Sequence, residues 1–213
     1  MEIPLSKRLR KRTHREVALL QDELVEMLYG AFQQEKPVLH GGTAIWRCYQ
    51  GNRFSEDLDF YASTGKGFRE LFFREAAARS LEVTKYKQTA NLVFAKVSNG
   101  SVEVRLEINT RKTVEKVVDE YEKVDGSRMD IYTLSPEALI EEKMAAYGGR
   151  RLIRDIYDIY HLSRHAANVR GMREFLQGIA PPLDEKNLRA VVYSGVAPSF
   201  RQMVEVLSSR FST

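Results

Sequence analysis

The sequence lacks the features that mark secreted, membrane-bound and zinc-binding proteins. It has one cysteine, Cys48, which excludes an internal disulfide framework and favours a reducing compartment. No apolar run is long enough to span a bilayer, and the basic N-terminus lacks the apolar segment of a signal peptide. Internal repeats, zinc-ligand spacings, P-loops and serine-hydrolase motifs are also absent from it. These absences predict a cytoplasmic protein without a membrane partner.

The composition is typical of a globular protein. Its 213 residues suffice for one large domain or two small ones, with a core that needs no disulfides. Hydrophobic residues make up 43% and charged residues 29% of the chain, which excludes a disordered class. The formal net charge of +4 and the pI of about 9.1 permit a polyanionic partner without requiring one.

Asp57 and Asp59 are the first candidates for chemistry. Side chains alternate along an extended chain, so both aspartates share one face while Leu58 and Phe60 face a core. Neighbouring carboxylates repel each other, and a hard divalent cation such as Mg²⁺ or Mn²⁺ offsets that repulsion. The alternative is a solvated strand edge or loop, which is the more common origin of a lone Asp-x-Asp.

A glycine pair upstream favours the metal interpretation. Gly41 and Gly42 allow backbone amides to approach an anion closely. Thr43 is predicted to cap a short amphipathic helix, whose N-terminal dipole also favours negative charge. A phosphate bridged between this bend and a cation at Asp57 and Asp59 would satisfy both elements.

These motifs, in this order, resemble the signature of the AbiEii-type nucleotidyltransferases. The residues that carry the resemblance are Gly41-Gly42-Thr43 and Arg53-x-Ser55-x-Asp57-Leu58-Asp59-Phe60, and it extends over about Pro37 to Leu162. The family provides the toxin half of many toxin–antitoxin and phage-defence systems, within the DNA polymerase beta-like nucleotidyltransferase superfamily. The resemblance implies transfer of NMP from an NTP with Mg²⁺ as cofactor. It also implies that Gly41, Gly42, Thr43, Arg53 and Ser55 contact the nucleotide.

A third carboxylate is expected on a later strand. Glu103, Arg105 and Glu107 share one face of the run Val102–Ile108. Either glutamate could be a metal ligand with Asp57 and Asp59, or the base that takes the proton of an attacking hydroxyl. The resemblance favours Glu107. Alternatively, Arg105 neutralises this face through ion pairs with the glutamates, or contacts the triphosphate.

Asp155 and Asp158 form a second group of candidates. They share a face of a largely apolar helix, where aspartates require cationic partners. The candidate partners are Lys143, Arg150, Arg151 and Arg154. Spacing alone favours local pairs of Arg151 with Asp155 and of Arg154 with Asp158. The resemblance implies instead that Lys143 contacts the phosphates and that a downstream aspartate completes the catalytic site, with Asp155 preferred to Asp158.

Hydrophobic periodicity predicts the elements around these residues. Strands are expected at 38–39, 81–86, 92–97 and 102–108, and helices at 17–31, 68–80, 137–147, 152–162, 172–178, 184–193 and 199–211. Gly148-Gly149 is expected to end the helix that follows Ser135, and 113–130 to be a connection with at most one helical turn or strand. The pattern predicts an α/β (α+β) fold, with a mixed sheet and flanking helices in 1–134 and a C-terminal helical bundle in 135–213. The resemblance implies that this sheet has the nucleotidyltransferase fold.

Several functions remain open at this point. A nucleotidyltransferase toxin that modifies an RNA such as tRNA and is neutralised by an antitoxin follows from the resemblance alone. A phosphotransferase would use the same residues, and a phosphohydrolase or nuclease would use the metal ligands without NTP. A non-enzymatic RNA- or partner-binding module would depend on the basic segment Lys7–Arg15, which otherwise is a solvated helix start.

Overall fold

The computed structural model describes residues 3–32, 36–110 and 114–211, which form one seven-stranded mixed sheet with flanking helices. The strands, in the order β3-β4-β5-β2-β1-β7-β6 across the sheet, are β1 (Val38–His40), β2 (Leu58–Tyr61), β3 (Glu82–Gln88), β4 (Leu92–Ser98), β5 (Glu103–Asn109), β6 (Val117–Glu122) and β7 (Arg128–Thr133). The α/β fold class predicted from the sequence is confirmed.

Nine α-helices are described. They are α1 (Leu5–Arg8), α2 (Arg12–Ala31), α3 (Gly41–Arg47), α4 (Phe68–Ala78), α5 (Pro136–Arg150), α6 (Ile153–Leu162), α7 (Met172–Gln177), α8 (Leu188–Val191) and α9 (Phe200–Arg210), with a 3-10 turn at Glu185–Asn187 before α8. In the described part of the chain, no helix is long and apolar enough to cross a membrane.

The register of the central strands fixes which side chains meet. Strand β2 pairs antiparallel with β1 and parallel with β5, so that Asp59 lies between His40 and Glu107. On the opposite face, alternate residues such as Leu58 and Phe60 are fully buried. Helices α2 and α4 contact each other, and contact β5 and β3 respectively, in the apolar layer. The period-2 alternation thus separates a polar face from the core, as the sequence predicted.

The connection expected after β5 is instead a β-hairpin. Strands β6 and β7 pair antiparallel, and β7 also pairs parallel with β1. Strand β6 lies at the sheet edge and buries little besides Tyr121, so its sequence shows no apolar alternation. The prediction was therefore wrong here, although its first residue, Thr113, lies outside the described residues.

Two predicted helix boundaries are also wrong. Helix α5 begins as expected with Ser135 accepting a hydrogen bond from the amide of Ala138 (3.2 Å), but it continues through Gly148 and Gly149. It ends where Arg151 adopts a left-handed conformation, at a φ of 51°. Thr43 does not cap α3, because the helix already begins at Gly41.

The C-terminal helices are joined to the sheet region by backbone hydrogen bonds. The amide of Phe54 donates to the carbonyl of Val191 (2.9 Å), and the amide of Tyr193 donates to that of Asn52 (3.0 Å). One apolar cluster contains buried residues from both parts of the chain. The domain division at residues 134 and 135 stays a prediction.

Candidate functional site

A row of polar side chains crosses the sheet at the middle of its polar face. His40, Asp59 and Glu107 are register partners on β1, β2 and β5, and all three are half-buried. The Asp59 carboxylate forms no hydrogen bond or ion pair with any residue that the structure describes. Burial is the largest influence on its pKa and raises it. His40 opposes this most strongly, the neighbouring Asp57 carboxylate adds to the increase, and Arg105 and Lys143 lower the pKa less, so the net direction is upward. The site therefore contains a carboxylate that lacks a bonded counter-charge.

The glycine bend lies directly against this row. Gly41 has a φ of 72°, and a Cβ there would come within 2.6 Å of Asp59 Oδ2. A Cβ on Gly42 would come within 2.6 Å of both Arg53 Nη2 and Ser55 Oγ. Glycine is thus required at both positions for the close approach, and the bend and the acidic residues converge as the sequence predicted.

Thr43 connects the bend to the acidic strand from within α3. Its hydroxyl donates a 2.5 Å hydrogen bond to the main-chain carbonyl of Asp57. The side chain is fully buried, so it holds α3 against the residue that precedes β2. This contact replaces the capping role predicted for Thr43.

Arg105 occupies the space in front of the carboxylates. Its guanidinium donates to Asp57 Oδ2 (2.7 Å) and lies 3.8 Å from Glu107 Oε1. Glu103 is directed away, because it accepts hydrogen bonds from Lys96 and Thr84 (both 2.6 Å). Among the described residues, no group of three potential ligands is already arranged around a metal position. The geometry therefore favours Glu107 over Glu103 as the third acidic residue.

The second group of candidates forms a buried ionic network. Asp158 accepts two hydrogen bonds from Arg53 (both 2.8 Å), and its Oδ2 lies 2.8 Å from Lys143 Nζ. Asp155 accepts two from Arg150 (2.7 and 2.8 Å), with Lys143 at 3.7 Å. Burial alone would raise the pKa of Asp158, but Arg53 and Lys143 outweigh it and lower that pKa to about 2. Lys143 links the two aspartates.

The local pairing expected from helix spacing is wrong. Arg151 donates to the carbonyl of Pro181 instead, and Arg154 is exposed without an ion pair to any described residue. Asp158 is bound instead by Lys143 and by Arg53, which is 105 positions away in sequence. Asp155 is bound by Arg150, five positions away. Lys143 and Arg150 were thus correctly included among the candidate partners, and Arg53 was not. Because Arg53 is only 5% exposed and lies beneath Gly42, it supports the bend from below.

Three further residues beside the site were not among the predicted site residues. Glu142 hydrogen-bonds His40 Nδ1 (3.1 Å) and accepts a hydrogen bond from the Tyr61 hydroxyl (2.5 Å). The rings of His40 and Tyr61 stack with their centroids 3.9 Å apart. The available signals were the adjacency of His40 to the glycine pair and of Glu142 to Lys143. These contacts attach α5, and with it Lys143, to β1 and β2 beside Asp59.

Comparison with known proteins identifies the family. The family model described as "Nucleotidyl transferase AbiEii toxin, Type IV TA system" matches residues 24–181. The fold is similar to JHP933 from Helicobacter pylori (20% identity, TM-score 0.55, covering 92% of this chain and 94% of that one). It is also similar to a candidate nucleotidyltransferase from H. pylori (20% identity, TM-score 0.57, 96% and 98%). Curated proteins gave no match. Since the family match covers well over half of its length, the chain belongs to the AbiEii nucleotidyltransferase toxins of type IV toxin–antitoxin systems.

Proposed function

We propose that the protein transfers a nucleoside monophosphate from an NTP to an acceptor hydroxyl at the carboxylate row formed by Asp57, Asp59 and Glu107. The observation that carries this proposal is the approach of the Gly41-Gly42 bend to Asp59. A triphosphate held at the bend would lie beside a half-buried carboxylate that has no bonded counter-charge.

The chain offers groups for the phosphates on one side of the row. The amides of the Gly41-Gly42 bend and the Ser55 hydroxyl, which lies against Gly42, would bind the phosphates. Arg150 is 44% exposed at its side chain although it binds Asp155, so it can reach a ligand as well. Lys143 is nearly buried and is held in place by Asp158. In this proposal Asp155 and Asp158 orient the cations, and Arg53 positions the bend.

The three carboxylates fit a hard divalent cation such as Mg²⁺ or Mn²⁺. These ions take oxygen ligands, and they bind triphosphates together with one or two protein carboxylates. Asp59 and Glu107 are adjacent across two strands, and Asp57 would exchange its bond to Arg105 for the cation. When bound, the cation supplies charge neutralisation for the triphosphate and activation of the attacking hydroxyl.

The transfer step forms one P–O bond and breaks another. The acceptor hydroxyl oxygen attacks the α-phosphorus, and the bond from that phosphorus to the oxygen bridging to the β-phosphorus breaks. Pyrophosphate leaves with the electron pair of the broken bond, and the hydroxyl proton passes to Glu107. Glu107 suits this role because its carboxylate accepts no hydrogen bond from a described residue and has only the Arg105 guanidinium nearby, at 3.8 Å. Lys143 and Arg150 stabilise the charge that develops on pyrophosphate.

Family membership implies a nucleotide substrate and a cognate antitoxin. We propose an RNA, such as a tRNA, as the acceptor, because the basic pI and the exposed arginines of the N-terminal segment, Arg10 and Arg15 among them, are compatible with a polyanion. In the proposal, the antitoxin prevents access of this RNA or of the NTP to the site.

The decisive experiment is incubation of the protein with Mg²⁺, total RNA and NTPs labelled at the α-phosphate. We expect label to be attached covalently to RNA by the wild type. Asp59→Asn should reduce the rate by at least about 100-fold, because it removes a charged group from the reacting centre. Glu107→Gln should cause a comparable loss.

Glu103→Gln is the matched control, since Glu103 lies on the same strand face but is bound to Lys96. It should leave the rate unchanged. Transfer of a γ-label without an α-label would instead identify a phosphotransferase, and shortening of RNA without NTP would identify a nuclease. Either result, or equal losses in the Glu103 and Glu107 variants, would contradict the proposal.

A further inference from the structure

The polar face of the sheet continues beyond the carboxylate row toward the free edge at β3. Lys87, Phe94, Glu107 and Asp59 are consecutive register partners on β3, β4, β5 and β2, so their side chains project from the same face. Two strand spacings, or about 10 Å, separate Phe94 from Asp59. The β3–β4 region therefore lies next to the proposed reaction centre on the side opposite to Lys143 and Glu142, which neighbour Asp59 and β1.

A shallow depression of about 300 Å³ lies on this part of the face. It is lined by Lys85, Lys87, Thr89, Leu92 and Phe94. The Phe94 ring is half-buried on the same face as Leu92, and the Lys85 ammonium lies 5.5 Å from the ring centroid. The depression thus presents an aromatic ring next to two lysines.

These lysines are not bound to a carboxylate, although Lys85 is near enough to Glu103 to help lower the pKa of that residue. Lys85 and Lys87 are exposed, and neither forms an ion pair with a residue that the structure describes. The neighbouring Lys96 differs, because Glu103 binds it at 2.6 Å. Two unpaired cations beside a ring attract an anion that also has a flat apolar surface.

Single-stranded nucleic acid has this combination of properties. Its phosphates pair with lysines and its unstacked bases pack on aromatic rings, whereas the bases of a duplex present no free face. A peptide segment of acidic residues alone would satisfy the lysines but would leave the Phe94 ring without a packing partner.

We propose that Lys85, Lys87 and Phe94 form a binding surface for the single-stranded part of a nucleic-acid acceptor. Phe94 stacks on one base, the lysines bind the adjoining phosphates, and the strand continues across β4 to Glu107. The inference rests on the proposed function in one respect, since the bound strand is taken to run toward the carboxylate row as the reaction centre. The binding itself requires neither NTP nor catalysis.

The test measures fluorescence anisotropy of a labelled single-stranded RNA oligonucleotide without NTP. We expect Phe94→Ala to raise its Kd by roughly 5-fold to 100-fold and Phe94→Tyr to restore it, because stacking requires only the ring. The double variant Lys85→Glu/Lys87→Glu should weaken binding and reduce its salt dependence. Lys186→Glu, an exposed charge reversal in the C-terminal part, should leave the Kd within about twofold of the wild type.

Three results would overturn the inference. They are unchanged single-strand binding in both the Phe94→Ala and the double-lysine variant, equal losses for single-stranded and duplex RNA, and a loss confined to an acidic peptide probe. In the labelling assay, the same variants should raise the KM for RNA and leave the KM for NTP unchanged. If no NMP transfer is found but the variants still weaken RNA binding, the proposed function fails and the surface stands.

Discussion

Replacement of Asp158 by asparagine tests the buried ionic network most directly. Asp158 is 1% exposed and forms ion pairs with Arg53 and Lys143. The isosteric change removes its charge, so that the more distant Asp155 carboxylate is left to balance both buried cations. Breaking a buried ion pair by removing one partner costs about 3–5 kcal/mol. Since the free energy of unfolding of small proteins is about 5–15 kcal/mol, the variant should be folded but markedly less stable.

The pH dependence of stability gives a second measure of the same contact. The pKa of Asp158 falls from an ordinary 3.8 to about 2 on folding, which corresponds to about 2 kcal/mol. Because the folded-state pKa is the lower one, this contribution is present above pH 3.8 and is lost as the pH falls through about 2. Asp158→Asn should therefore remove part of the acid sensitivity below pH 4.

Urea denaturation at pH 7, and then at falling pH, provides the measurement. In a double-mutant cycle, Arg53→Gln and Asp158→Asn together should cost at least about 1.5 kcal/mol less than the sum of the single changes. Arg12→Gln, in an exposed pair with Glu16, is the control and should leave the transition unchanged. Additive costs, or a loss below about 1 kcal/mol for Asp158→Asn, would refute the reasoning.

Three other substitutions probe the site itself. Gly42→Ala should lower the free energy of unfolding by about 1–3 kcal/mol through overpacking, and it should raise the KM for NTP. The control is Gly148→Ala, whose Cβ would meet no atom within 4 Å. In the same denaturation and kinetic assays it should be neutral or stabilising. Asp59→Asn should raise the Tm of the metal-free protein, because a carboxylate whose pKa is raised on folding destabilises the protein above that pKa. The same change should abolish stabilisation by Mg²⁺. A lower Tm would contradict this reasoning. Arg105→Gln should lower the Mg²⁺ concentration needed for stabilisation in a thermal-shift titration, because Asp57 loses its competing cation, and an unchanged midpoint would argue against that competition.

Local rules were sufficient to predict the acidic half of the site. Alternation along a strand placed Asp57 and Asp59 on one face and Leu58 in the core, and the same rule grouped Glu103 with Glu107. It could not choose between these two glutamates, because that choice depends on the register of β5 against β2 and on the capture of Glu103 by Lys96. Register is a property of the assembled sheet, and no alternation pattern contains it.

The basic half of the site was less accessible from the sequence. Helix spacing predicted the wrong arginine for each aspartate. Asp155 binds Arg150, which lies nearby in sequence on the preceding helix, whereas Asp158 binds the distant Arg53 that the fold brings to it. The 105-residue separation of Arg53 from Asp158 leaves no local signal. The β6–β7 hairpin was missed for a related reason, since an edge strand is stabilised by its neighbour and not by an apolar face of its own.

The two halves differ in how their charge is balanced, and this difference supports the proposed binding of a triphosphate between them. The buried network contains three cations and two carboxylates, so it retains one positive charge. In the carboxylate row, by contrast, Arg105 is the one described cation that forms an ion pair with any of the three acids. The two groups already interact, because Lys143 lowers the pKa of Asp59, while Asp155 and, more weakly, Asp59 raise the pKa of Arg150. Phosphate oxygens satisfy the positive side, and the divalent cation that accompanies them satisfies the acidic side. Free NTP without a divalent cation should therefore bind poorly, since it would place its charge against Asp59 with nothing to offset it.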